Sequence, residues 1–423
     1  MNAPSRSFNW KSWQGCLFVS VVTAAVWWLC FQSPMFWVTT GMGEPNRPFI
    51  DLYGLLVASD AVRLGLDPFL PSPLDPYHRP HVYSEWWFAM GAMGLGRKDV
   101  LWFGTVLAAS LIITAVAMVR PRNLRESFML LCLLLSPAFL LAANRGNNDL
   151  IMLPLVSAGL LCFRRAGLGW RAIGIILFAS TAVLKYYPLV TLVLLLDLRS
   201  RRDFRIGLGL YALVLLLAWP GLLSGLKSAS LYAPEPVWLY AFGAPVLARD
   251  FELKQSILWL VPAALLVVWA LAVAWRQRRQ SVPARADESH QHERDFVCGA
   301  AMLVGLFFLG ASFVYKLIFA VWLLPWLWER PLAAGEVRWR RIIWYLLLSV
   351  VWLEGTVALG FNLVARFRGQ PGNVDLLKLT LLVEQLLTWA LVACLARFLL
   401  IYLGQWGCSL LARTPDTAQR TPV

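Results

Sequence analysis

One stretch decides the fold: Asn144-Arg145-Gly146-Asn147-Asn148-Asp149, six polar residues that interrupt a long apolar run. The apolar residues Phe128 to Ala143 precede it, and Leu150 to Phe163 follow it. A charged side chain at the centre of a bilayer costs at least about 2.5–3.5 kcal/mol, so such residues pair, face a cavity or have a function. Glycine at the middle permits a broken helix, which bilayers tolerate only where protein or water satisfies the backbone. The pattern favours the floor of a polar cavity; the alternative is an ordinary exposed turn between two spans.

Composition indicates an all-α polytopic membrane protein. Of the 423 residues 59% are hydrophobic, and the mean hydropathy is +0.62, whereas soluble proteins are about 45–50% apolar. Long apolar runs alternate with short basic loops, which is typical of membrane helices and not of an outer-membrane barrel. Those loops account for the net charge of +14, and no basic tract predicts nucleic-acid binding. The cysteines form no CxxC pair and have no histidine partner at metal spacing, so neither a disulfide nor a metal site is predicted.

Five clusters of Lys and Arg orient the spans by the positive-inside rule. They lie at 120–125, 164–171, 199–205, 276–294 and 330–341. With all five and both termini in the cytoplasm, residues 1–423 form one integral membrane domain of about twelve helices. We expect these helices on both sides of the polar stretch and at 13–32, 100–118, 172–184, 188–198, 206–223, 257–275, 296–313, 317–328, 342–362 and 378–402. Between and after them lie a first periplasmic segment, a flexible cytoplasmic loop and a cytoplasmic tail, at 33–98, 276–295 and 403–423.

Three predicted helices, 172–184, 188–198 and 317–328, are shorter than the roughly 20 residues that a perpendicular crossing needs. We expect them to end partway through the membrane, so that their polar tips meet at one depth near the outer face. Those tips are 144–149, 185–187 and 315–316. The alternative, a single span over 172–198, would place two strongly basic loops on opposite sides of the membrane, with Pro188 in mid-helix.

The first outer segment contains an amphipathic stretch that begins near Asp51 and ends at Gly65. Its apolar and charged residues occupy different sides, as in a helix on a membrane surface: Val57, Ala61 and Leu64 against Asp60 and Arg63. Asp51 lies near the first turn, where a carboxylate can cap the helix. Alternatively it is a general base that accepts the proton of a hydroxyl group. Spacing alone leaves both roles open.

The other candidate residues suit a phosphate or a sugar. Lys185 and Lys316 each interrupt an apolar hairpin beside tyrosine, and with Arg145 they are candidates for binding phosphate; the alternative is lysines that snorkel toward headgroups. The substrate-binding candidates are Tyr53, His81, Glu85, Asn147, Asn148, Asp149, Tyr187 and Tyr315. For His81 and Glu85 the alternative is an interfacial loop with anchoring aromatic residues. No nucleotide-binding loop, serine elbow or dinucleotide fingerprint is present, so neither a cofactor nor an energy-coupled pump is predicted.

Four motifs together resemble the multispanning glycosyltransferases of the GT-C fold, specifically the family 87 (DUF2029) group. They read Asp51-Leu52-Tyr53, Gly65-Leu66-Asp67-Pro68-Phe69, Arg145-Gly146-Asn147-Asn148-Asp149-Leu150 and Lys185-Tyr186-Tyr187-Pro188. Tyr83-Ser84-Glu85 stands where Tyr-Pro-Pro is usual, and Tyr315-Lys316 where some members carry paired histidines. The resemblance implies a polyprenyl-phosphate-linked sugar as donor and an acidic residue of the first outer loop, here Asp51, as base.

The resulting hypothesis is a hexosyltransferase of the bacterial cell inner membrane. It would transfer the sugar at the periplasmic face to an envelope glycan or a glycolipid acceptor, with membrane lipids as further partners. Broken helices with charges near the membrane midplane are also typical of transporters. A transporter or flippase of a lipid-linked sugar is therefore one alternative, and a non-catalytic membrane protein of envelope assembly is another.

Overall fold

The computed structural model of the chain is almost entirely helical over the residues that it describes. These are residues 12–34, 36, 48–165, 167–198, 200–232, 240–246, 264, 268–269, 272, 287–310, 312–329, 334–368 and 374–412. The predicted helix at 257–275 lies outside them except at four isolated positions. So does the first part of the predicted loop, 276–286.

The helices follow one another closely along the chain. The α-helices are α1 (Ser12–Gln32), α2 (Ile50–Arg63), α3 (Ala89–Ala92), α4 (Val100–Val119), α5 (Leu124–Leu134), α6 (Pro137–Arg145), α7 (Asp149–Arg164), α8 (Leu168–Leu184), α9 (Arg201–Leu217), α10 (Trp219–Tyr232), α11 (Asp287–Leu309), α12 (Leu324–Trp328), α13 (Ala334–Arg368) and α14 (Val374–Ala412). The 3-10 helices are Glu85–Phe88, Arg97–Asp99, Tyr187–Asp197 and Val314–Leu323. Two short strands, β1 (Ala241–Phe242) and β2 (Ser312–Phe313), pair in antiparallel orientation.

Four helices of the described part are long and apolar enough to cross a membrane. They are Ser12–Gln32, Arg97–Val119, Glu336–Gly360 and Lys378–Gly407. The number becomes six if each of two bent pairs is one span: α5 with α6, at 56°, and α9 with α10, at 67°. By length and composition, the fold is thus compatible with an all-α membrane protein that has several spanning helices.

Prolines lie at both bends. Pro137 opens α6, and the preceding Ser136 has extended backbone angles, φ −68° and ψ 153°. A residue before proline disfavours the helical region, so α5 ends before this point and α6 starts in a new direction. Pro220 is the second residue of α10, where its missing N–H costs no helical hydrogen bond.

Two long 3-10 helices stand where the sequence predicts short helices. Tyr187–Asp197 has 11 residues and Val314–Leu323 has 10, although 3-10 helices seldom exceed three or four. At about 2.0 Å of rise per residue, Tyr187–Asp197 reaches about 22 Å, whereas an α-helix of that length would reach about 16 Å. Val314–Leu323 and α12 together reach about 28 Å, close to the roughly 30 Å of a hydrocarbon core. Tyr187–Asp197 and Val314–Trp328 are thus short apolar helices, as predicted, but their 3-10 form makes them longer than α-helices of the same number of residues.

The helix ends differ from the predicted ones in two further places. α14 continues to Ala412, so the first ten residues of the predicted tail 403–423 are helical. α10 continues to Tyr232, although the predicted helix ends at 223.

The start of α11 corrects the prediction of a flexible loop at 276–295, since this helix already covers the last part of it. His290 Nε2 lies 2.7 Å from Asp197 Oδ1, and Arg294 Nε donates to Asp197 Oδ2 at 2.6 Å. His292 Nδ1 lies 3.9 Å from the Glu329 carboxylate. The hydrogen bond with Asp197 raises the pKa of His290. The two histidines thus pair with carboxylates at the ends of neighbouring helices.

Aromatic side chains form the core around α11, α12 and α14. The rings of Phe296 and Trp326 lie 4.2 Å apart between centroids. The indole N–H of Trp326 donates to Tyr402 at 3.0 Å, and that of Trp322 donates to Ser157 at 2.8 Å. All of these side chains are buried. Because their polar atoms have partners, these large rings can fill the interior and fix the 3-10 helix Val314–Leu323 against α7.

The predicted amphipathic helix is α2, and its apolar side packs into the protein. Val57 and Ala61 are buried in the protein, whereas Leu64, just beyond the end of α2, is 62% exposed. The following irregular segment folds back onto α2 through Arg79, which donates to the backbone carbonyl of Ile50 at 3.0 Å. The segment therefore holds the start of α2 in place.

Candidate functional site

The polar stretch of 144–149 forms a buried turn between α6 and α7. Gly146 ends α6 with φ 60° and ψ 35°, a left-handed conformation that favours glycine. The carbonyl of Asn144 accepts the N–H of Phe49 at 2.6 Å, and Asn147 Oδ1 accepts the N–H of Asp149 at 3.0 Å. The side chains of Asn144, Asn147, Asn148 and Asp149 are all buried. The alternative of an ordinary exposed turn is therefore wrong.

Asp51 lies in the first turn of α2 and faces Arg145. The guanidinium donates from Nη2 to Oδ1 at 2.6 Å and from Nε to Oδ2 at 3.0 Å. This two-pronged arrangement is the strongest geometry between arginine and a carboxylate. The ring of Phe313 lies 4.7 Å below the same guanidinium. Burial raises the pKa of Asp51, but Arg145 and Asn147 outweigh it and hold that pKa below its ordinary value.

The Asp51 carboxylate accepts its hydrogen bonds from the side chains of Arg145 and Asn147. Asn147 connects Asp51 to the rest of the site. Its Nδ2 donates to Asp51 Oδ2 and to the Tyr315 hydroxyl, both at 2.8 Å. Its Oδ1 accepts a hydrogen bond from Lys185 Nζ at 3.2 Å. One buried amide thus fixes the spacing between three separate parts of the chain.

Asp149 lies between the two lysines. Lys185 Nζ is 2.6 Å from Oδ1 and Lys316 Nζ is 2.6 Å from Oδ2. The Tyr187 hydroxyl donates to Oδ1 as well, and Lys185 also contacts Asn148 Oδ1. Asp149 is fully buried, and the lysines are 6% and 5% exposed. Both ammonium groups are therefore interior charges rather than snorkelling side chains.

The long 3-10 helices bring these lysines together. Lys185 is the C-terminal cap of α8, two residues before Tyr187–Asp197 begins, and Lys316 is the third residue of Val314–Leu323. The β1–β2 pair anchors the start of Val314–Leu323, and the N–H of Val314 donates to the Tyr240 carbonyl at 2.9 Å. The three predicted polar tips, 144–149, 185–187 and 315–316, thus meet as expected.

The site contains more cationic side chains than carboxylates, namely Arg145, Lys185 and Lys316 against Asp51 and Asp149. Asp51 and Arg145 balance each other, whereas Asp149 faces two ammonium groups with a single carboxylate. Asn148 Nδ2 adds a buried donor with no hydrogen-bond partner in the described structure. Such a donor is costly unless an acceptor reaches it. An anionic group with several acceptor oxygens fits both features.

Tyr83 and Phe313 belong to the site but are not among the predicted residues. The ring of Tyr83 lies 5.3 Å from Lys185 Nζ and is partly exposed. Burial, followed by the charges of Asp51 and Asp149, raises the pKa of Tyr83. The aromatic and proline-rich stretch around Tyr83 indicated a binding site, but the sequence does not distinguish Tyr83 from the other aromatic residues of that stretch. Phe313 lies two residues before the predicted Tyr315, but its apolar side chain gave no reason to include it.

Tyr53, His81 and Glu85 have surroundings different from those expected. Tyr53 contacts Arg97 at a separate cavity, and Glu85 is exposed near α10. His81 is buried, with Nε2 3.1 Å from the Ser84 carbonyl, and burial lowers its pKa to about 4. The rings of Phe69, Tyr83 and Phe88 surround the imidazole. The predicted substrate-binding role of these three thus has no support in the contacts of the cluster around Asp51 and Asp149.

The described residues contain no group of three His, Cys, Asp or Glu side chains that could hold a metal ion. Comparison of the chain with models of known protein families, with curated proteins and with solved structures found no match.

Proposed function

We propose that this chain is a membrane glycosyltransferase that moves a sugar from a polyprenyl-phosphate donor to an envelope glycan or lipid acceptor. The observation that carries the proposal is Asp149, one buried carboxylate between Lys185 and Lys316 beside the Asp51–Arg145 pair. This places a surplus of positive charge close to a carboxylate that stays ionised. Glycosyl transfer from a lipid phosphate needs cations to stabilise the released phosphate and a carboxylate to accept the proton of the acceptor hydroxyl.

The phosphate of the donor would lie against Lys185 and Lys316. Both are already desolvated, so their attraction for an anion is stronger than that of exposed lysines. As the glycosidic bond breaks, its electron pair moves onto the phosphate oxygen, and the two ammonium groups stabilise the growing charge. The free Nδ2 of Asn148 supplies a further donor to a phosphate or sugar oxygen.

Asp51 would act as the base in a transfer with inversion. It accepts the proton of the acceptor hydroxyl while that oxygen bonds to the anomeric carbon and the phosphate departs. The contacts with Arg145 and Asn147 keep the pKa of Asp51 low, so the carboxylate is ionised before the acceptor arrives. The same contacts fix the orientation of the Asp51 carboxylate. Tyr83, partly exposed above Lys185, offers a ring face to the sugar.

The finer architecture is part of the same proposal: about twelve spans in a GT-C-like arrangement, with both termini in the cytoplasm of a bacterium and the site at the periplasmic face of the inner membrane. The reach of Val314–Leu323 together with α12, about 28 Å, supports counting this pair as a crossing element. The basic clusters between the helices support this orientation.

The test is Asp51→Asn in purified protein supplied with a panel of polyprenyl-phosphate hexoses and a lipid-extract acceptor. Glu126→Gln, in the first turn of α5 and outside the four motifs, is the matched control. We expect Asp51→Asn to lose at least about 10²-fold in turnover, in line with the removal of a general base, with donor binding retained. The control should keep wild-type turnover.

The alternatives predict other results. A flippase would move labelled donor across liposomes without releasing polyprenyl phosphate, and Asp51→Asn would abolish that movement. A non-catalytic assembly protein would show neither product nor movement in the wild type. Either result would refute the glycosyltransferase.

A further inference from the structure

A second charged cavity, of about 550 Å³, lies between α2 and the start of α4. Its lining residues combine one carboxylate with three cationic side chains, a tyrosine and a glycine: Asp60, Arg63, Arg97, Lys98, Tyr53 and Gly96. It shares no lining residue with the cluster around Asp51 and Asp149. An inference from this cavity is therefore independent of the proposed transfer reaction.

The cationic side chains at this cavity outnumber the carboxylates that they meet. Asp60 Oδ2 accepts from Arg97 Nε at 2.8 Å and from the Arg97 N–H at 3.1 Å, while Oδ1 accepts from Arg63. Lys98 lies near Asp99, which already accepts from the Gly96 N–H at 2.9 Å. Two carboxylates thus face three cations. Arginine pairs hold phosphate oxygens well because their donors form a planar fork.

An apolar stripe runs along α4 away from the cavity. Exposed residues recur at intervals of three and four, which places them on one face of the helix: Trp102, Val106, Ala109, Ile113 and Ala117. Trp102 is 52% exposed, Val106 51% and Ile113 66%. α4 belongs to a candidate membrane span, so this face is suited to acyl chains. The cationic cavity stands at one end of it, and indole rings such as that of Trp102 favour the headgroup level.

We propose that this cavity binds the phosphate headgroup of an anionic membrane lipid, whose acyl chains lie along the stripe of α4. The arginines supply charge and direction, and the stripe supplies apolar surface that a soluble phosphate cannot use. A Cβ at Gly96 would meet the ends of the Arg63 and Asp60 side chains, so glycine lets both side chains lie close to the backbone here.

The experiment measures phosphatidylglycerol and phosphatidylcholine retained on delipidated full-length protein by native mass spectrometry. Arg63→Gln/Lys98→Gln removes two cations from the cavity, and Arg122→Gln/Arg125→Gln removes two exposed cations beyond the other end of α4. Because each cation near a headgroup contributes about 1 kcal/mol, the first variant should bind phosphatidylglycerol about tenfold or more weakly. The second should match the wild type. Gly96→Val, which changes no charge, should also weaken binding.

Three results would overturn the proposal. One is equal binding of the two lipids to the wild type. Another is unchanged phosphatidylglycerol binding in Arg63→Gln/Lys98→Gln protein of normal size-exclusion profile. The third is displacement of the lipid by equimolar inorganic phosphate, which would assign the cavity to a soluble anion.

Discussion

Replacing Asp149 by Asn should destabilise the protein far more than replacing either of its lysine partners. The amide keeps the shape of the carboxylate but leaves Lys185 and Lys316 without the anion that lies 2.6 Å from each ammonium group. Breaking a buried ion pair by removing one partner costs about 3–5 kcal/mol, because an uncompensated charge remains inside. Here two charges remain, so we expect Asp149→Asn to reach or exceed that range.

Lys316→Met should cost less, because Asp149 then keeps Lys185 and the repulsion between two buried ammonium groups disappears. In the double variant Asp149→Asn/Lys316→Met only one buried charge lacks its partner, so part of the lost stability should return. Thermal unfolding in detergent, followed by size-exclusion chromatography after heating, ranks the four proteins. Irreversible unfolding makes this a kinetic ranking, so all four must be heated at one rate.

The expected order of heat resistance is wild type, Lys316→Met, the double variant and Asp149→Asn. An Asp149→Asn protein as heat-resistant as Lys316→Met would refute the reasoning. It would mean that the lysines are not held as buried ammonium ions by this carboxylate, and the anion-binding argument would lose its basis.

Two further perturbations test the segment that supports the site. His81 has a pKa of about 4 when folded and about 6.5 when unfolded, so its contribution to stability, about 3 kcal/mol, is complete above pH 6.5 and lost as the pH falls toward 4. His81→Phe should flatten the dependence of unfolding temperature on pH in this window; an unchanged slope would contradict the buried neutral ring. Gly225→Ala should lower the unfolding temperature, because its Cβ would overlap the backbone of the segment at residue 83, a clash of the kind that costs about 1–3 kcal/mol. Gly209→Ala, which meets nothing within 4 Å, should raise the unfolding temperature slightly through helix propensity, and equal effects of the two changes would show that the packing is not as described.

Much of the fold could be predicted from where apolar runs begin and end. α1 and α4 follow the predicted 13–32 and 100–118 within about two residues, since long apolar segments leave few alternatives in a bilayer. The gathering of Arg145, Lys185 and Lys316 could be predicted too. Polar residues that interrupt apolar runs have to satisfy one another when no water is near.

The rest depended on geometry that a linear pattern does not encode. Hydropathy distinguishes apolar from polar residues, but it does not distinguish a rise of about 2.0 Å per residue from about 1.5 Å. The 3-10 form of Tyr187–Asp197 was therefore missed. Tyr53 lies two residues after Asp51 on α2, and residues two apart on a helix do not face each other. For His81 no local feature indicates whether the ring faces the cluster, and only the packing of the 64–84 segment decides it.

The two long 3-10 helices and the surplus lysine charge are parts of one arrangement. A 3-10 helix has poorer hydrogen-bond geometry than an α-helix, so it persists over 10 or 11 residues only where tertiary contacts hold it. At Tyr187 and Lys316 those contacts are the hydroxyl and ammonium groups on Asp149. An anion that draws Lys185 or Lys316 away from Asp149 would weaken the contacts that fix both helices at this end. Because the same residues bind the charge and support the backbone, occupancy of the site and the conformation of these helices are expected to be coupled.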